Sequence, residues 1–402
     1  MSTELTTATR RRIPLSVPTF RGNEREYLVQ CIDSGFVSSV GPMVTKFERS
    51  IADYVGAREA IACVNGTAAI HLALLGVGVE RDMEVIVPSL TFVGSINPIM
   101  YCGAHPVFVD VDPATVTIAP EALKALLAER YQYESTSGHW ISRVSGRPLG
   151  AVLGVDLFGH PADFDAIAEI VAPYGVPLVE DGAEGLGASC RGRRAGNLAR
   201  VGALSFNGNK VITTGGGGMV VTDDETLAKQ LRHLSTQARD HRWEYHHDEV
   251  GFNYRLTNLQ AALGLAQLEQ LDGFLAIKRA HAERYRAALT RYNGITMLTE
   301  QSWARSGYWL VAVYIESIAH DRAAAYRLFE QASEAGIEIR PFFSPAHLQI
   351  PYRGDEPWSL PATEHLFARA VNLPSSVDLT DEEIDYVVET VARLAGLSQR
   401  PE

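Results

Sequence analysis

Short apolar runs alternate with segments of helical periodicity through the middle of the chain, and this alternation constrains the fold more than any other feature. It is typical of a mainly parallel sheet covered by helices on both faces. In such sheets ligands bind at the carboxyl ends of the strands. The predicted strands are 85–87, 106–111, 150–157, 177–180, 202–206 and 218–222, and the predicted helices among them are 67–76, 91–101, 120–130, 163–173 and 224–234.

The two ends of the chain follow other patterns. The stretch 256–292 predicts one long helix, or two with a break near Gly273. A polar, weakly periodic stretch at 131–149 predicts an exposed insertion. The remaining predicted elements are helices at 23–35, 44–54, 322–335 and 381–395 and strands at 308–316 and 336–343. We expect an N-terminal arm (1–22), a large domain (23–270) and a small C-terminal α+β domain (271–402).

Composition limits the classes of function. The chain has 402 residues, of which 46% are hydrophobic and 21% charged, so a sizeable core is available. Its formal charge of −12 argues against a nucleic-acid partner, because such partners require a basic face. No run reaches the length of a membrane span, and the N-terminal basic cluster precedes no apolar stretch. Four scattered cysteines predict buried free thiols. We therefore expect a soluble cytoplasmic protein without a membrane partner.

One lysine follows a predicted strand in an unusual setting. Ser205-Phe-Asn207-Gly-Asn-Lys210 is followed by four consecutive glycines, 215–218. A lysine at a strand exit can lie in a cleft, and a partly desolvated amine can attack an aldehyde. An isolated lysine is more often an ordinary surface residue. A nucleotide P-loop is excluded because the glycines follow the lysine and the required spacing is missing.

Three more segments carry candidate functional residues. Asp181 ends an apolar strand, where a carboxylate could pair with a pyridine nitrogen or could instead cap the next segment. Gly66-Thr67-Ala68 opens a helix, and its backbone N–H groups form a plausible phosphate cup, although many helices begin in this way. Phe92 follows a strand, where it could stack on a flat ring or pack in the core.

Taken in order, these motifs resemble the DegT/StrS-type sugar aminotransferase family, within fold type I of the aspartate aminotransferase superfamily. The resemblance runs from about Ile13 to Val387 and includes 251–258 (GFNYRLTN), 340–342 (RPF) and 373–374 (LP). It implies an α/β fold with a large, mainly parallel α/β/α sheet domain and a smaller C-terminal α+β domain. It also implies pyridoxal 5'-phosphate (PLP) as the cofactor and a homodimer with shared active sites.

The resemblance assigns a role to each motif. Lys210 would bind the cofactor covalently and act as the base, and Asp181 would pair with its pyridine nitrogen. Phe92 would stack on the ring, and Glu184 would lie near its hydroxyl. The remaining cofactor-binding residues would be Gly66, Thr67, Ala68, Ser205, Asn207 and, from the neighbouring subunit, Asn253.

Further stretches narrow the implied substrate. They resemble the C-4 aminotransferases of the legionaminic-acid and bacillosamine pathways, which act on UDP-2-acetamido-4-keto-2,6-dideoxyhexoses with an amino donor, usually glutamate. The turn 340–343 is also similar to GDP-perosamine synthases, which aminate GDP-4-keto-6-deoxymannose. Related dehydratases replace the lysine with histidine, so Lys210 favours transamination. The family usually has histidine at the place of Asp156, a departure that leaves the contacts of this loop open.

Several alternatives stay open at this point. The enzyme could act at C-3 of a keto sugar, or the chain could be a non-catalytic PLP-binding regulator or a nucleotide-binding protein without PLP. Arg255, Arg340 and His347 are candidates for binding the nucleotide sugar, but surface ion pairs would explain them equally well. The histidine-rich stretch 240–248 matches no zinc spacing, so we expect no metal.

Overall fold

The computed structural model describes residues 12–241, 243–318, 322–354 and 357–401. Its helices are α1 (Glu24–Ser34), α2 (Pro42–Val55), α3 (Gly66–Gly76), α4 (Val93–Tyr101), α5 (Pro120–Arg130), α6 (Phe164–Val171), α7 (Glu225–Ser235), α8 (Asn258–Leu268), α9 (Leu271–Leu289), α10 (Arg322–Glu334), α11 (Pro361–Phe367) and α12 (Asp381–Leu394). Its strands are β1 (Glu59–Cys63), β2 (Glu84–Pro88), β3 (His105–Val109), β4 (Tyr131–Glu134), β5 (His139–Ser142), β6 (Leu149–Val155), β7 (Leu178–Asp181), β8 (Ser189–Cys190), β9 (Arg193–Arg194), β10 (Val201–Ser205), β11 (Gly218–Thr222), β12 (Ile295–Met297), β13 (Ala304–Arg305), β14 (Val311–Ile315), β15 (Arg340–Pro341) and β16 (Ala370–Leu373).

A large sheet organises the first two thirds of the chain. Its strand order is β1-β11-β10-β7-β6-β2-β3, and within this sheet β11 alone runs in the direction opposite to the others. The other six strands therefore point the same way, and their carboxyl ends meet at one edge. The predicted mainly parallel α/β architecture is confirmed. The sequence pattern missed β1, because its residues EAIAC lack the β-branched run that marks a strand.

Burial explains why these segments form strands. All seven residues of β6 are buried, as are all five of β2 and of β11, because helices cover both faces of the sheet. Helix boundaries follow from local capping. Thr257 and Gln260 form a capping box at the start of α8, and Thr380 and Glu383 form another at the start of α12.

A second sheet, in the order β12-β14-β16-β15, lies in the C-terminal third and is antiparallel throughout. It packs with α9 and α12 around an apolar core that includes Tyr285, Val313 and Val387. The predicted strand 336–343 is wrong in extent, because only β15 pairs with this sheet. Ile337 forms an isolated parallel bridge with Ile13 of the N-terminal arm instead.

The predicted break near Gly273 is misplaced. α8 ends at Leu268 and α9 begins at Leu271, so Gly273 lies inside the first turn of α9. At the actual break, the side chains of Gln267 and Gln270 both donate to a carboxylate oxygen of Glu24, at 2.6 and 2.7 Å. The break thus depends on a tertiary contact with α1 that no local pattern announces.

Residues 132–139 of the stretch 131–149 are exposed, in agreement with the predicted exposed insertion, but the stretch has regular structure. β4 and β5 pair as an antiparallel hairpin whose base is buried at Tyr131 and Ser142. Below it, Arg130 forms a buried ion pair with Glu84 at 2.8 Å, and the Tyr131 hydroxyl donates to the same carboxylate. The sequence pattern did not predict this order, because it depends on the contacts of Arg130 and Tyr131 with the buried Glu84.

All four cysteines are free, and three of them are buried. Within the described ranges, no helix combines the length and the apolar character that crossing a membrane would require.

Candidate active site

A cavity of about 310 Å³ opens at the edge where the carboxyl ends of the parallel strands meet, and we call it the site cavity. Eight of the residues predicted from the sequence line it: Gly66, Thr67, Phe92, Asp181, Glu184, Ser205, Asn207 and Lys210. They lie at the ends of β1, β2, β7 and β10 or just after them, and these four strands are separated along the chain but share this edge. The fold therefore brings most of the predicted site together.

The start of α3, where the sequence predicts a phosphate cup, lines the site cavity with Gly66 and Thr67. Asn65 caps this helix by accepting the Ala68 N–H at 2.8 Å, so Ala68 is already bonded and does not line the cavity. A Cβ at Gly66 would lie 2.8 Å from the Cβ of Ser205, closer than real Cβ atoms approach. Only glycine permits this approach, which narrows the cavity at a helix N-terminus, where unpaired N–H groups favour an anion.

Asp181 ends β7 as a buried carboxyl group. Its oxygens accept hydrogen bonds from Ser95 Oγ at 2.6 Å and from the Ala183 N–H at 3.1 Å. Burial raises the pKa of Asp181, while these bonds and the charge of Lys210 oppose the increase. A buried carboxylate of this kind fits a cationic partner such as a protonated ring nitrogen. Sequence reasoning missed Ser95, although it lies one helical turn after Thr91, with which it shares a hydrogen bond.

Lys210 and Glu184 form an ion pair inside the cavity. The Lys210 Nζ lies 3.2 Å from Glu184 Oε1, and the two side chains are only 14% and 6% exposed. The other carboxylate oxygen accepts the Phe158 N–H at 2.9 Å. Burial raises the pKa of Glu184, and the Lys210 charge partly offsets that increase. The cavity thus holds an amine beside a carboxyl group whose titration is shifted toward neutral pH.

Two aromatic residues complete the walls. Phe92 is 55% exposed and lies at the N-terminal end of α4, with its ring centroid 5.5 Å from that of Phe343. Trp309 lies on another side, where its ring centroid is 3.9 Å from the Lys210 Nζ. Sequence reasoning missed Phe343 and Trp309 as site residues because both come from the C-terminal third of the chain. Only the tertiary fold places them at the sheet edge.

The two candidate arginines do not line the site cavity of their own chain. Arg255 pairs with Glu48 at 3.3 Å and is mostly buried. Arg340 is exposed and pairs with Glu338 at 2.7 Å. Ion pairing, the alternative explanation from the sequence, is thus observed for both. The partial burial of Arg255 makes its pair the costlier one to open for a ligand.

His347 and Asn253 also lie outside the cavity lining. His347 is buried, with its Nδ1 2.6 Å from Ser89 Oγ and its Nε2 3.3 Å from Glu364. Burial lowers the pKa of His347. Asn253 is exposed and forms an isolated bridge with Thr236. An exposed position is what a residue directed at a neighbouring subunit requires.

Asp156 departs from the histidine usual in the resembled family, and its surroundings are unusual. It is fully buried, and its Oδ1 accepts the Ala162 N–H at 2.9 Å while Oδ2 has no partner. The nearby Glu180 accepts the N–H groups of Gly196 and Leu198. Burial raises the pKa of both carboxyl groups, and the Glu180 charge raises that of Asp156 further. A proton retained on Asp156 and shared with Glu180 would satisfy the unpartnered oxygen.

The histidine-rich stretch consists of ion pairs and hydrogen bonds at the surface. His246 lies 2.7 Å from Asp240, and His233 lies 2.7 Å from Asp248. Within the described part of the chain, His233, Asp248 and Glu249 are the one group with three potential metal ligands close together. These side chains are at least partly exposed and already paired, so we assign no metal to them.

The site cavity fits PLP. A cup narrowed by Gly66 and Ser205 matches a phosphate group, and the Asp181 carboxyl matches a pyridinium nitrogen. Lys210 and Phe92 line the same cavity, where the amine could bind the aldehyde and the phenyl ring could stack on the cofactor ring. When bound, PLP supplies an aldehyde that binds amino groups and a ring that accepts electrons.

Comparisons with known proteins agree with this reading. The family model described as the DegT/DnrJ/EryC1/StrS aminotransferase family matches residues 18–392. The chain is 39% identical to a GDP-perosamine synthase of Caulobacter vibrioides, over 94% of this chain and 96% of the relative. It is 37% identical to EpsN of Bacillus subtilis, which is named as a pyridoxal phosphate-dependent aminotransferase, over 96% of both chains.

A solved structure resembles the fold equally well. The aminotransferase TlmJ from Streptoalloteichus hindustanus superposes with a TM-score of 0.85 at 28% identity, covering 96% of this chain and 99% of that one. The mainly parallel sheet thus agrees with the fold of this solved aminotransferase. The chain belongs to the DegT/DnrJ/EryC1/StrS aminotransferase family and is a PLP-dependent nucleotide-sugar aminotransferase.

Proposed function

We propose that this enzyme transfers the amino group of an amino acid, with L-glutamate as the usual donor, to C-4 of GDP-4-keto-6-deoxymannose. One observation carries the choice of sugar. The GDP-perosamine synthase of Caulobacter vibrioides is 39% identical over nearly the full length of both chains. The sequence stretches had favoured a UDP-2-acetamido-4-keto sugar, with the GDP sugar as the alternative. The named relative supports that alternative better.

We assign the proton transfer to Lys210. Its amine is the basic group inside the site cavity, and Glu184 holds it at 3.2 Å. With PLP held in the cavity, the free amine of Lys210 would take a proton from the donor carbon and would release it again later in the reaction. Asp181 would keep the ring nitrogen protonated, so that the ring accepts the electrons of the broken bond. The same residues would run these steps in reverse on the sugar.

We infer that the functional unit is a homodimer with shared sites. Asn253 lies outside the site cavity of its own chain and is exposed, so it could serve a partner subunit. Arg340 is exposed in β15 of the second sheet, so it is better placed than Arg255 to bind the diphosphate of the substrate. Arg255 could bind the diphosphate only after its ion pair with Glu48 had broken. His347, held by Ser89, is proposed for the same substrate as a buried second contact.

Mass spectrometry of the reaction product tests the substrate. The enzyme would be incubated with glutamate carrying an isotopic nitrogen label and, in separate reactions, with GDP-4-keto-6-deoxymannose, a UDP-2-acetamido-4-keto sugar and a 3-keto sugar. We expect the label in the GDP sugar, with a kcat/KM about 100-fold above that for the UDP sugar. Preference for the UDP sugar or the 3-keto sugar would overturn the assignment. A chain that exchanges no label with any keto acid or sugar would be a non-catalytic PLP-binding protein.

Subunit mixing tests the shared site. Lys210→Ala and Asn253→Ala would each be purified as inactive or weakened homodimers and then mixed under conditions of subunit exchange. Shared sites predict that activity returns, because one site of each hybrid contains both native residues. If mixing restores nothing although the hybrids form, Asn253 does not act across the interface.

A further inference from the structure

We propose that Trp309 is a positioning residue for Lys210: its indole face holds the freed ammonium group of Lys210 at the wall of the site cavity. Two strained backbone positions, at Phe158 and Tyr308, fix this arrangement. The inference rests on the assignment of Lys210 as the cofactor lysine in the proposed function. It does not depend on which sugar accepts the amine.

The contact itself is close and sheltered. The Lys210 Nζ lies 3.9 Å from the centroid of the Trp309 ring, well within the range of a cation–π interaction. Trp309 is 3% exposed, and only 14% of the Lys210 side chain is exposed. Because the interaction strengthens as water is removed, a face buried to this degree should hold an ammonium group more firmly than a surface aromatic would.

Hydrogen bonds at both ends fix the Trp309 ring. Its Nε1 donates to the carbonyl of Asn209, the residue before Lys210, at 2.6 Å. Its own carbonyl accepts from Lys278 Nζ at 3.3 Å and from Ser375 Oγ at 2.5 Å. The indole is thus tied to the lysine's own loop on one side and to the C-terminal part of the chain on the other.

The two chain segments that supply contacts to Lys210 each contain a residue with a strained backbone. Phe158 and Tyr308 have φ angles of 54° and 45°, in the left-handed region that bulky residues avoid. Each such position costs conformational free energy and persists where the surroundings enforce it. Phe158 donates its N–H to Glu184, which pairs with Lys210. Tyr308 directly precedes Trp309.

The two strained segments also contact each other. Leu310 donates its N–H to the Phe158 carbonyl at 3.3 Å, and Gly307 donates to the Gly159 carbonyl at 2.9 Å. A Cβ at Gly159 would lie 2.5 Å from the backbone nitrogen of Trp309, so the close contact between these two backbone segments requires glycine. One structural unit therefore presents both groups that contact the lysine amine, the Glu184 carboxylate and the Trp309 face.

This unit suits a lysine that must alternate between two states. When Lys210 takes a proton from the donor carbon, its amine becomes an ammonium group. The Trp309 face and the Glu184 carboxylate then stabilise that charge until the proton is delivered. Asp181 is a second carboxyl group whose charge interacts with Lys210, and Asp156 lines the same cavity. Of these contacts, Trp309 alone can hold the ammonium without competing for its proton.

Chemical labelling of the apoenzyme tests the proposal without any turnover. Acetic anhydride reacts with neutral amines, and mass spectrometry of the Lys210 peptide, normalised to the exposed Lys124, gives the labelling rate at each pH. We expect Trp309→Leu to move the midpoint of labelling to lower pH, with about two- to fivefold more labelling below the midpoint. Trp309→Phe keeps an aromatic face, so its midpoint should stay near that of the wild type.

Two further observations distinguish a change in the protonation of Lys210 from a change in its accessibility to the reagent. A wider opening would raise the labelling plateau at high pH without moving the midpoint. Trp303→Leu removes an indole that lies over Arg191, outside the cavity lining, and should change neither. Trp309→Met has no ring but a similar length, and it should also move the labelling midpoint to lower pH. It replaces Trp309→Leu if that variant fails to fold. An unchanged midpoint in the non-aromatic variants would overturn the proposal.

The holoenzyme gives an independent readout. With glutamate alone, the change in the cofactor absorption band reports the first half of the reaction. We expect Trp309→Leu to slow this change about tenfold with little effect on the glutamate concentration at half-saturation, because the contact that is lost is with Lys210. If the non-aromatic Trp309 variants keep the wild-type labelling midpoint and the enzyme still aminates the sugar, the role of Trp309 is rejected and the proposed function stands. Labelling of Lys210 that bound PLP does not suppress would instead reject the proposed function, because the cofactor would then not be held by this lysine.

Discussion

The amine of Lys210 lies 3.2 Å from Oε1 of Glu184, while Oε2 of the same carboxylate accepts the backbone N–H of Phe158. The Phe158 N–H therefore fixes one oxygen of Glu184, and the other oxygen accepts a hydrogen bond from the Lys210 amine. This arrangement predicts that its charge, and not only its shape, matters for catalysis.

Glu184→Gln should keep the fold and the bound cofactor but lower kcat about 10- to 100-fold, since one charge-assisted hydrogen bond to Lys210 is replaced by a neutral one. Steady-state kinetics together with the cofactor absorption spectrum would measure this. An unaltered kcat would mean that the ion pair is incidental.

The pH dependence of the wild type should reflect the same carboxyl group. Burial raises the pKa of Glu184 above its usual value, so its negative charge is lost at a higher pH than that of an exposed glutamate. Activity should therefore fall as the pH drops through the mildly acidic range. Glu184→Gln has no carboxyl group to titrate, and its profile should lack this limb. An identical acid limb in the variant would assign the titration to another group.

Gly66→Ala should weaken cofactor binding by tenfold or more, because the new Cβ would lie 2.8 Å from Ser205 Cβ and overpacking of this kind costs about 1–3 kcal/mol. Titration of the apoenzyme with PLP would measure the affinity. Gly273→Ala is the matched control. Its Cβ would meet nothing within 4 Å, and alanine favours a helix, so binding should be unchanged and stability slightly increased.

Asp156→Asn should make stability less dependent on pH. The pKa of Asp156 is raised in the folded protein, so the folded state keeps a proton that the unfolded chain releases as the pH rises. The contribution of Asp156 to wild-type stability should therefore fall from about pH 4 upward, by at most about 1.4 kcal/mol per pH unit for one proton. Asparagine can donate to Glu180 at any pH. Thermal unfolding at several pH values would test this, and parallel curves for both proteins would contradict it.

Much of the site could be predicted because its chemistry follows strand ends. Gly66, Asp181 and Ser205 each lie in or beside a short motif, and the parallel sheet brings those motifs to one edge. The fold class follows from the same alternation of strands and helices. Local sequence carries this information because each motif needs only its own strand and turn.

The missed residues depend on distant contacts. Trp309 bonds to Asn209 across 100 residues of chain, and nothing in the pattern around Trp309 distinguishes it from a core aromatic. The break between α8 and α9 depends on Glu24, and the hairpin at 131–142 depends on the buried charge of Glu84. In each case a tertiary partner decides the local structure, so periodicity alone could not.

Borohydride trapping tests the central claim most directly. The holoenzyme would be reduced to fix the cofactor on its lysine, digested, and mapped by mass spectrometry. Lys278 is the informative rival, because burial lowers its pKa to about 7 and so leaves a neutral amine near physiological pH. We predict the cofactor mass on the Lys210 peptide alone. Cofactor on the Lys278 peptide, or on any other lysine in place of Lys210, would contradict the account.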